Sequence, residues 1–412
     1  MSASEFTPAT QLELSRFVAE NAQIERCTLC PVGGRTAMHY GFSAAAPGVQ
    51  VAMSQLDRVV DYPARDMTIT VEAGLRIDAL QATLASERQR LPIDIAQPER
   101  ATLGGALATN TSGPRRYGHG TFRDYVIGIS AVDAAGRLFK AGGRVVKNVA
   151  GYDICKLLVG SRGTLAIVTQ VTLKLRPLPE TSAQVWLTHD TFDQIEDRLA
   201  RLLVSQSRPV AIEVLNPAAA ALIVASARVE LPANAPVLCV GVEGSRHEVD
   251  WQLESLSQEL SSTGVQELRL VRDHAAERIW EALTEFQTCA DDPLTFEANL
   301  RPSQCMAFTS RATELGVAVQ VHAGNGQVVG QLLDESATID RTLAVLNELR
   351  GLARAAGGNL VVLHCDPEWK PRMPMCGDPE PAWPLMKQLK RTLDPQGLLN
   401  PGRFIDGATE QA

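Results

Sequence analysis

The sequence predicts an α+β protein built in two parts, and three observations predict it. The chain has 412 residues, which at about 150 residues per domain gives two or three domains. Short strand-like runs and glycine- and proline-rich turns fill it as far as Leu178. Beyond that point strands and helices alternate, the pattern of a sheet covered by helices. The boundaries expected are 1–180, 181–366 and 367–412.

Residues 11–22 read as a helix with Leu12, Leu14, Phe17 and Val18 on one side. Strands are expected at 67–71 and 126–132 and, most clearly, at 163–175. There Leu165, Ile167, Val171, Leu173 and Leu175 alternate with Thr172, Lys174 and Arg176. A helix at 78–87 interrupts them. Pro177 and Pro179 cannot both continue a strand interior, so a boundary falls there. Strands are then expected at 185–188, 211–215, 237–242, 268–271, 295–300, 318–322 and 360–364. Helices are expected at 218–227, 248–261, 275–286, 303–315 and 339–356. The proline-rich passage 367–384 carries Trp369, Met375 and Trp383 and reads as an ordered excursion. No internal repeat is evident.

The formal net charge of −8 argues against a nucleic-acid binder, which needs a basic surface. No apolar run approaches the roughly 20 residues of a membrane span. The polar N-terminus lacks the pattern of a signal peptide. The expected location is the cytoplasm, with the inner membrane reached only through partners. The eight cysteines are scattered and read as reduced thiols. Cys27 and Cys30 form one CxxC pair, too few ligands for zinc.

Glycine-rich runs carry the chemistry. Gly33-Gly34-Arg35-Thr36 follows an apolar run, and paired glycines can turn backbone N–H groups toward one anion. A plain turn explains this run equally well. The second run, from Gln97 to Gly118, is denser in small residues. Thr102, Thr109, Asn110, Thr111 and Ser112 add short hydrogen-bonding side chains beside approachable backbone, a lining suited to a flat ring with a phosphate tail. The third spans Gly142–Asp153 and then Gly160–Thr169. A Rossmann GxGxxG, a P-loop, GxSxG and HExxH are all absent.

Together these runs resemble the FAD-binding domain of the vanillyl-alcohol oxidase (PCMH-type) flavoprotein family, over roughly residues 10–180. The closing Asn400-Pro401-Gly402-Arg403 resembles that family's final turn. Within the family, Gly113-Pro114-Arg115-Arg116, the run Val146–Asp153 and the ending from Leu393 resemble the FAD-binding subunits of bacterial glycolate oxidases. The resemblance implies a FAD-binding domain of two α+β subdomains, a ferredoxin-like α+β cap domain, and a C-terminal segment that returns to the first. Gly33, Gly34, Arg35 and Thr36 would hold the pyrophosphate. Pro98, Thr102, Gly104 and Gly105 would border the flavin. Ser112, Gly113 and Gly118 would meet the ribityl–phosphate stretch, and Gly163, Thr164 and Ile167 the adenine end. His39 does not match the histidine that carries covalent flavin in some members, so non-covalent FAD is implied.

The implied function is 2-hydroxy-acid (glycolate) oxidation within a complex. Its partners would be a catalytic flavoprotein subunit and an iron–sulfur subunit. Relatives that oxidise D-2-hydroxy acids carry a motif resembling His-Ala-Gly-Asp-Gly-Asn-x-His. Here the run from His322 has Asn325 in place of the carboxylate and Val329 in place of the last histidine. A downstream Glu-His pair is reduced to Leu363-His364, so no metal is expected. The catalytic candidates are His322, Lys147 and Arg116. His322 reads equally as a hydrogen-bonded strand histidine. Lys147 and Arg116 read as solvated charges or as fixed positive charge near a flavin. Two other functions compete with the subunit role: a stand-alone FAD-dependent 2-hydroxy-acid dehydrogenase, and a scaffold subunit that has lost FAD.

Overall fold

The alternating run near 163–175 becomes the strand Ile167–Lys174, the middle strand of a five-stranded antiparallel sheet. From one edge the sheet runs Val59–Asp61, Thr68–Glu72, Ile167–Lys174, Val126–Val132 and Leu138–Gly142. The alternation is visible in its burial: Ile167, Val171 and Leu173 are buried and Lys174 is exposed. The helix Ile77–Ala85 buries Ile77, Leu80 and Leu84 in the same core as Val71 and Leu173. A second, three-stranded sheet places Val49–Ala52 between Glu5–Phe6 and Leu29–Val32, all parallel. Its core takes Leu14 and Val18 from the helix Gln11–Gln23, Ile167 from the first sheet, and Leu399 from the C-terminus. Burying one leucine side chain contributes about 2 kcal/mol, so Leu399 helps to hold the end of the chain in this core.

The computed structural model describes residues 4–43, 48–143, 152–261, 265–288, 293–333 and 337–405. It divides into two units. The first, with both sheets above, holds Met1–Ser112, Thr121–Leu178 and Pro379–Ala412; the second holds Gly113–Gly120 and Pro179–Asp378. Residues 367–378 therefore lie with the second unit. Val362 N–H donates to Met375 O there at 2.8 Å.

The second unit is one eight-stranded antiparallel sheet. Its order is Val265–Arg272, Thr181–His189, Val237–Gly244, Ala211–Leu215, Val317–His322, Gln327–Leu332, Leu294–Asn299 and Asn359–Cys365. Read from either edge, each half follows the order fourth, first, third, second, which is ferredoxin-like topology twice over. The expectation of no internal repeat is thus corrected. The two halves share strand order and antiparallel pairing, so the repeat is one of topology. Fully buried Asn216 ties the halves together. Its Oδ1 accepts from Ala219 N–H at 3.0 Å and caps the helix Pro217–Ala227, while its Nδ2 donates to Val317 O at 2.8 Å. The strand Gln327–Leu332 was not expected, because Gly324, Asn325 and Gly326 make its approach read as a loop. Among the described residues, no helix is long and apolar enough to cross a membrane.

Candidate functional site

In the first unit the glycine-rich runs converge. The strand Leu29–Val32 delivers Gly33 and Gly34 directly onto the segment 100–102. A Cβ at Gly33 would stand 2.0 Å from Thr102 Oγ1, and one at Gly34 would stand 1.7 Å from the Arg100 carbonyl oxygen. Only glycine permits that approach. Thr102 in turn caps the helix Leu103–Thr109, its Oγ1 accepting from Gly105 N–H at 3.3 Å.

The turn at 160–164 closes on the far end of that helix. Gly160 N–H donates to Leu107 O at 3.0 Å and Arg162 N–H to Ala108 O at 2.8 Å. The C-terminal run completes the set. Asn400 N–H donates to Leu29 O at 2.8 Å, Asn400 Nδ2 to Arg162 O at 2.7 Å, and Arg403 Nη1 to Tyr40 O at 2.9 Å. Lys390 Nζ reaches Thr164 O at 2.6 Å and Leu399 O at 2.9 Å.

These residues fit the FAD that the resemblance implies. Among the described residues, the amides of Gly34, Arg35 and Thr36 find no backbone carbonyl, which leaves N–H groups for a pyrophosphate. Gly105 is less enclosed than Gly33 or Gly34: a Cβ there would meet only the Thr102 hydroxyl, at 3.2 Å. A planar ring can lie where that side chain is missing. The buried side-chain oxygens of Asn110 and Asn400 have no hydrogen-bond partner, and such acceptors call for an N–H or O–H.

The other expected residues divide by surroundings. Arg35, with φ at 59°, turns its guanidinium to Glu5 Oε2 at 2.6 Å and Gln50 Oε1 at 2.6 Å. Its side chain serves the loop's shape. Gly104 is pressed on Ala73, where a Cβ would come within 2.8 Å. Pro98 accepts from Asp78 N–H at 3.0 Å, and Ser112 is buried. Thr164 is fully buried and satisfies its own hydroxyl on Ser161 O at 2.7 Å. Ile167 belongs to the core. Gly163, with φ at 66°, packs on Pro31. Gly113 and Gly118 lie with the second unit; Gly118 N–H donates to Val210 O at 3.0 Å, and a Cβ would come within 2.7 Å of Val210 Cα. Lys147 lies outside the described residues.

The second unit gathers a polar cluster on one sheet face. Glu213, His322, Gln327 and Asn299 share one register row, and Gln320 and Glu297 share the row two residues on. Strand alternation therefore points all six to the same side. Glu213 is fully buried. His322 Nδ1 lies 2.9 and 2.8 Å from its two oxygens, and Gln320 Nε2 donates to Oε2 at 2.7 Å. A carboxylate only accepts, so Nδ1 of His322 donates to Glu213. Arg116 enters the cluster from the segment Gly113–Gly120 and donates to Gln327 Oε1. Burial holds its guanidinium below the usual range, against the opposing pull of Glu297 and Glu213.

Two of the three catalytic candidates, His322 and Arg116, are thus brought into one cluster. Glu213, Gln320, Gln327 and Glu297 were missed in the sequence. The available signal was a carboxylate inside the apolar strand Ala211–Leu215, since a buried carboxylate needs a partner. His119 and Arg115 were also missed as contacts of Glu243, at 2.5 and 3.4 Å. The donors do not fit a metal ion. His322 Nδ1 is turned to Glu213, Val329 is apolar, and no group of three His, Cys, Asp or Glu among the described residues is arranged to hold one.

Known proteins share this organisation. Residues 3–142 match the FAD binding domain, and residues 178–404 match the FAD linked oxidases, C-terminal domain. Glycolate oxidase subunit GlcD of Bacillus subtilis (strain 168) is 27% identical over 424 residues, covering 97% of this chain and 88% of that protein. Glycolate oxidase subunit GlcE of Escherichia coli (strain K12) is 27% identical over 351 residues, covering 84% of each. The crystal structure of p-cresol methylhydroxylase with substrate bound has a TM-score of 0.75 at 16% identity, covering 98% of this chain and 88% of that one, a likeness of fold. The glycine cradle, the paired ferredoxin-like halves and a C-terminal match over more than half its length together establish that this chain belongs to the FAD-linked oxidases, with a PCMH-type FAD-binding domain and FAD as its cofactor.

Proposed function

We propose that this chain is the FAD-binding subunit of a glycolate oxidase complex. It holds FAD non-covalently and passes electrons from glycolate oxidation to an acceptor other than nicotinamide. A catalytic flavoprotein subunit and an iron–sulfur subunit are its partners in this reading. Bound flavin supplies a two-electron acceptor; the chain's own residues hold and orient it.

The observation that carries the subunit reading is the closure of the polar cluster in the second unit. A 2-hydroxy acid brings a carboxylate that needs a cation. Arg116 is engaged with Gln327 and faces Glu297 and Glu213. A further anion there would meet two carboxylates, a repulsion that a single guanidinium does not offset. The printed names of the two similar bacterial proteins, both glycolate oxidase subunits, support the same reading.

One observation favours a stand-alone 2-hydroxy-acid dehydrogenase. His322 Nε2, oriented through Glu213, is able to take a proton from a hydroxyl group. The visible spectrum of the purified full chain, before and after anaerobic glycolate, separates the two. A flavin band that glycolate leaves unchanged until partner subunits are added supports the subunit reading. A band bleached by glycolate in the chain alone overturns it and makes this a dehydrogenase by itself. Acid precipitation should release the flavin into the supernatant; flavin in the pellet would refute non-covalent binding.

A further inference from the structure

The eight-stranded sheet of the second unit ends differently at its two edges. At one, Asn359–Cys365 is covered by the chain's own return, where Val362 N–H donates to Met375 O at 2.8 Å. At the other, Val265–Arg272 pairs on one side with Thr181–His189, and among the described residues no other backbone segment pairs with it. Every second residue of an edge strand turns its N–H and C=O outward, a template for a further strand. Proteins blunt such edges with a proline, a bulge or a very short strand. This strand has eight residues and no proline, and its register with its neighbour is unbroken from Glu267 to Arg272. Leu270 on it is 45% exposed. Arg272 Nη1 meets Asp250 Oδ1 at 2.5 Å, which brings the helix Arg246–Leu260 beside the strand's end. The next residue of that helix, Trp251, is 46% exposed.

The charges on the strand decide what can pair there. Glu267 and Arg269 lie two positions apart, so their side chains share one face, and they form an ion pair within the strand. When a strand pairs antiparallel with its own copy, outward-facing residues meet outward-facing residues. The two-fold axis then passes through one residue of each copy rather than between two. An axis at Glu267 sets glutamate on glutamate, one at Arg269 sets arginine on arginine, and one at Leu270 sets Glu267 against Asp273. An axis at Leu268 sets Glu267 of each copy against Arg269 of the other, with Leu268 on Leu268 and Gln266 beside Leu270 on the opposite face. Opposite charges directly across a strand pair stabilise it and like charges destabilise it. The strand is therefore complementary to itself in this register, and the adjacent ones are opposed by like charges.

We propose that this edge is a homodimer interface: two copies of the chain join antiparallel along Val265–Arg272 about a two-fold axis at Leu268, making their two eight-stranded sheets continuous. A two-fold contact uses one self-complementary patch on both sides, the commonest arrangement of homo-oligomers. Main-chain hydrogen bonds across the edge supply affinity, and the paired Glu267 and Arg269 fix the register. Leu270 and Trp251 supply apolar surface at the same edge, and tryptophan is a residue that interfaces favour.

The test is sedimentation velocity of the full chain, loaded with FAD, over a range of protein concentrations. The parent is expected to dimerise reversibly. Arg269→Glu sets glutamate against glutamate, and Glu267→Arg sets arginine against arginine, each at two places in the interface. Either variant is expected to weaken dimerisation about thirtyfold. An equal mixture of the two variants should dimerise again, because each offers the charge that the other needs. The double variant E267R/R269E should dimerise by itself for the same reason. Rescue by mixing also excludes misfolding as the cause of dissociation, since two misfolded chains do not repair one another. A parent chain that sediments as a monomer at every concentration overturns the proposal. So do dimers that the single substitutions leave intact, and single-variant monomers that neither mixing nor the double substitution restores.

Discussion

Lys390 and Asp394 lie one helical turn apart and form a buried ion pair at 2.5 Å, beside the point where the C-terminus re-enters the first unit. Asp394 is fully buried at its side chain. Desolvation holds the Lys390 ammonium below the ordinary lysine range, although Asp394 works against the shift. The pair sits where burial costs most, and each partner compensates the other.

Removing one partner should therefore cost more than removing a surface charge. Lys390→Met leaves the Asp394 carboxylate buried with two backbone donors and no cation. A loss of about 3 kcal/mol is expected, read as a shift in the urea midpoint of the full chain. A shift no larger than that of Arg354→Met, whose ion pair with Asp378 is exposed, would show that Lys390 carries no such role.

Glycine substitutions should separate fold from cofactor. Gly34→Ala drives a Cβ into the Arg100 carbonyl at 1.7 Å, so both flavin content and melting temperature should fall. At Gly105 a Cβ would meet the Thr102 hydroxyl at 3.2 Å and no backbone atom. Gly105→Ala should lower flavin content while the stripped chain melts closer to the parent than Gly34→Ala does. Equal behaviour of the two variants would contradict this division of labour.

Glu213 and His322 should be coupled. Glu213→Ala leaves His322 Nδ1 and Gln320 Nε2 without their acceptor, and a loss of about 2 kcal/mol is expected. His322→Ala should cost a similar amount, and the double variant less than the sum. In a histidine-labelled chain, nitrogen-15 spectra should show His322 protonated at Nδ1, with that preference lost in Glu213→Ala. An unchanged tautomer would mean that Glu213 does not orient the ring.

His189 should make the protein sensitive to acid. It is fully buried, neither ring nitrogen has a hydrogen-bond partner, and burial followed by Arg198 lowers its pKa from 6.5 to about 4. The unfolded chain therefore takes up this proton first as the pH falls. Its contribution to stability is complete above pH 6.5 and is lost through the window down to about pH 4, a change of about 3 kcal/mol. His189→Leu should flatten this part of the stability–pH profile. A profile identical to the parent's would assign the acid sensitivity to other groups.

The sequence by itself determined the elements with a strong period and the glycine positions at which backbone can be closely approached. The alternation at Ile167–Lys174, the proline pair at 177 and 179, and the glycine pairs at 33–34 and 104–105 are local signals. A strand buries one face, a proline ends it, and a glycine admits an approach that no other residue allows. Tertiary structure alone decided what those signals meet. That Gly34 presses on Arg100, that Asn400 grips Arg162, and that Arg116 joins Glu213 and His322 are contacts between segments far apart in the chain. No local pattern encodes them, because a hydrogen bond's partner is set by how sheets and helices pack. The strand Gln327–Leu332 stayed hidden for a related reason. Its glycine-rich approach reads locally as a loop, and only pairing with Val317–His322 and Leu294–Asn299 makes it a strand.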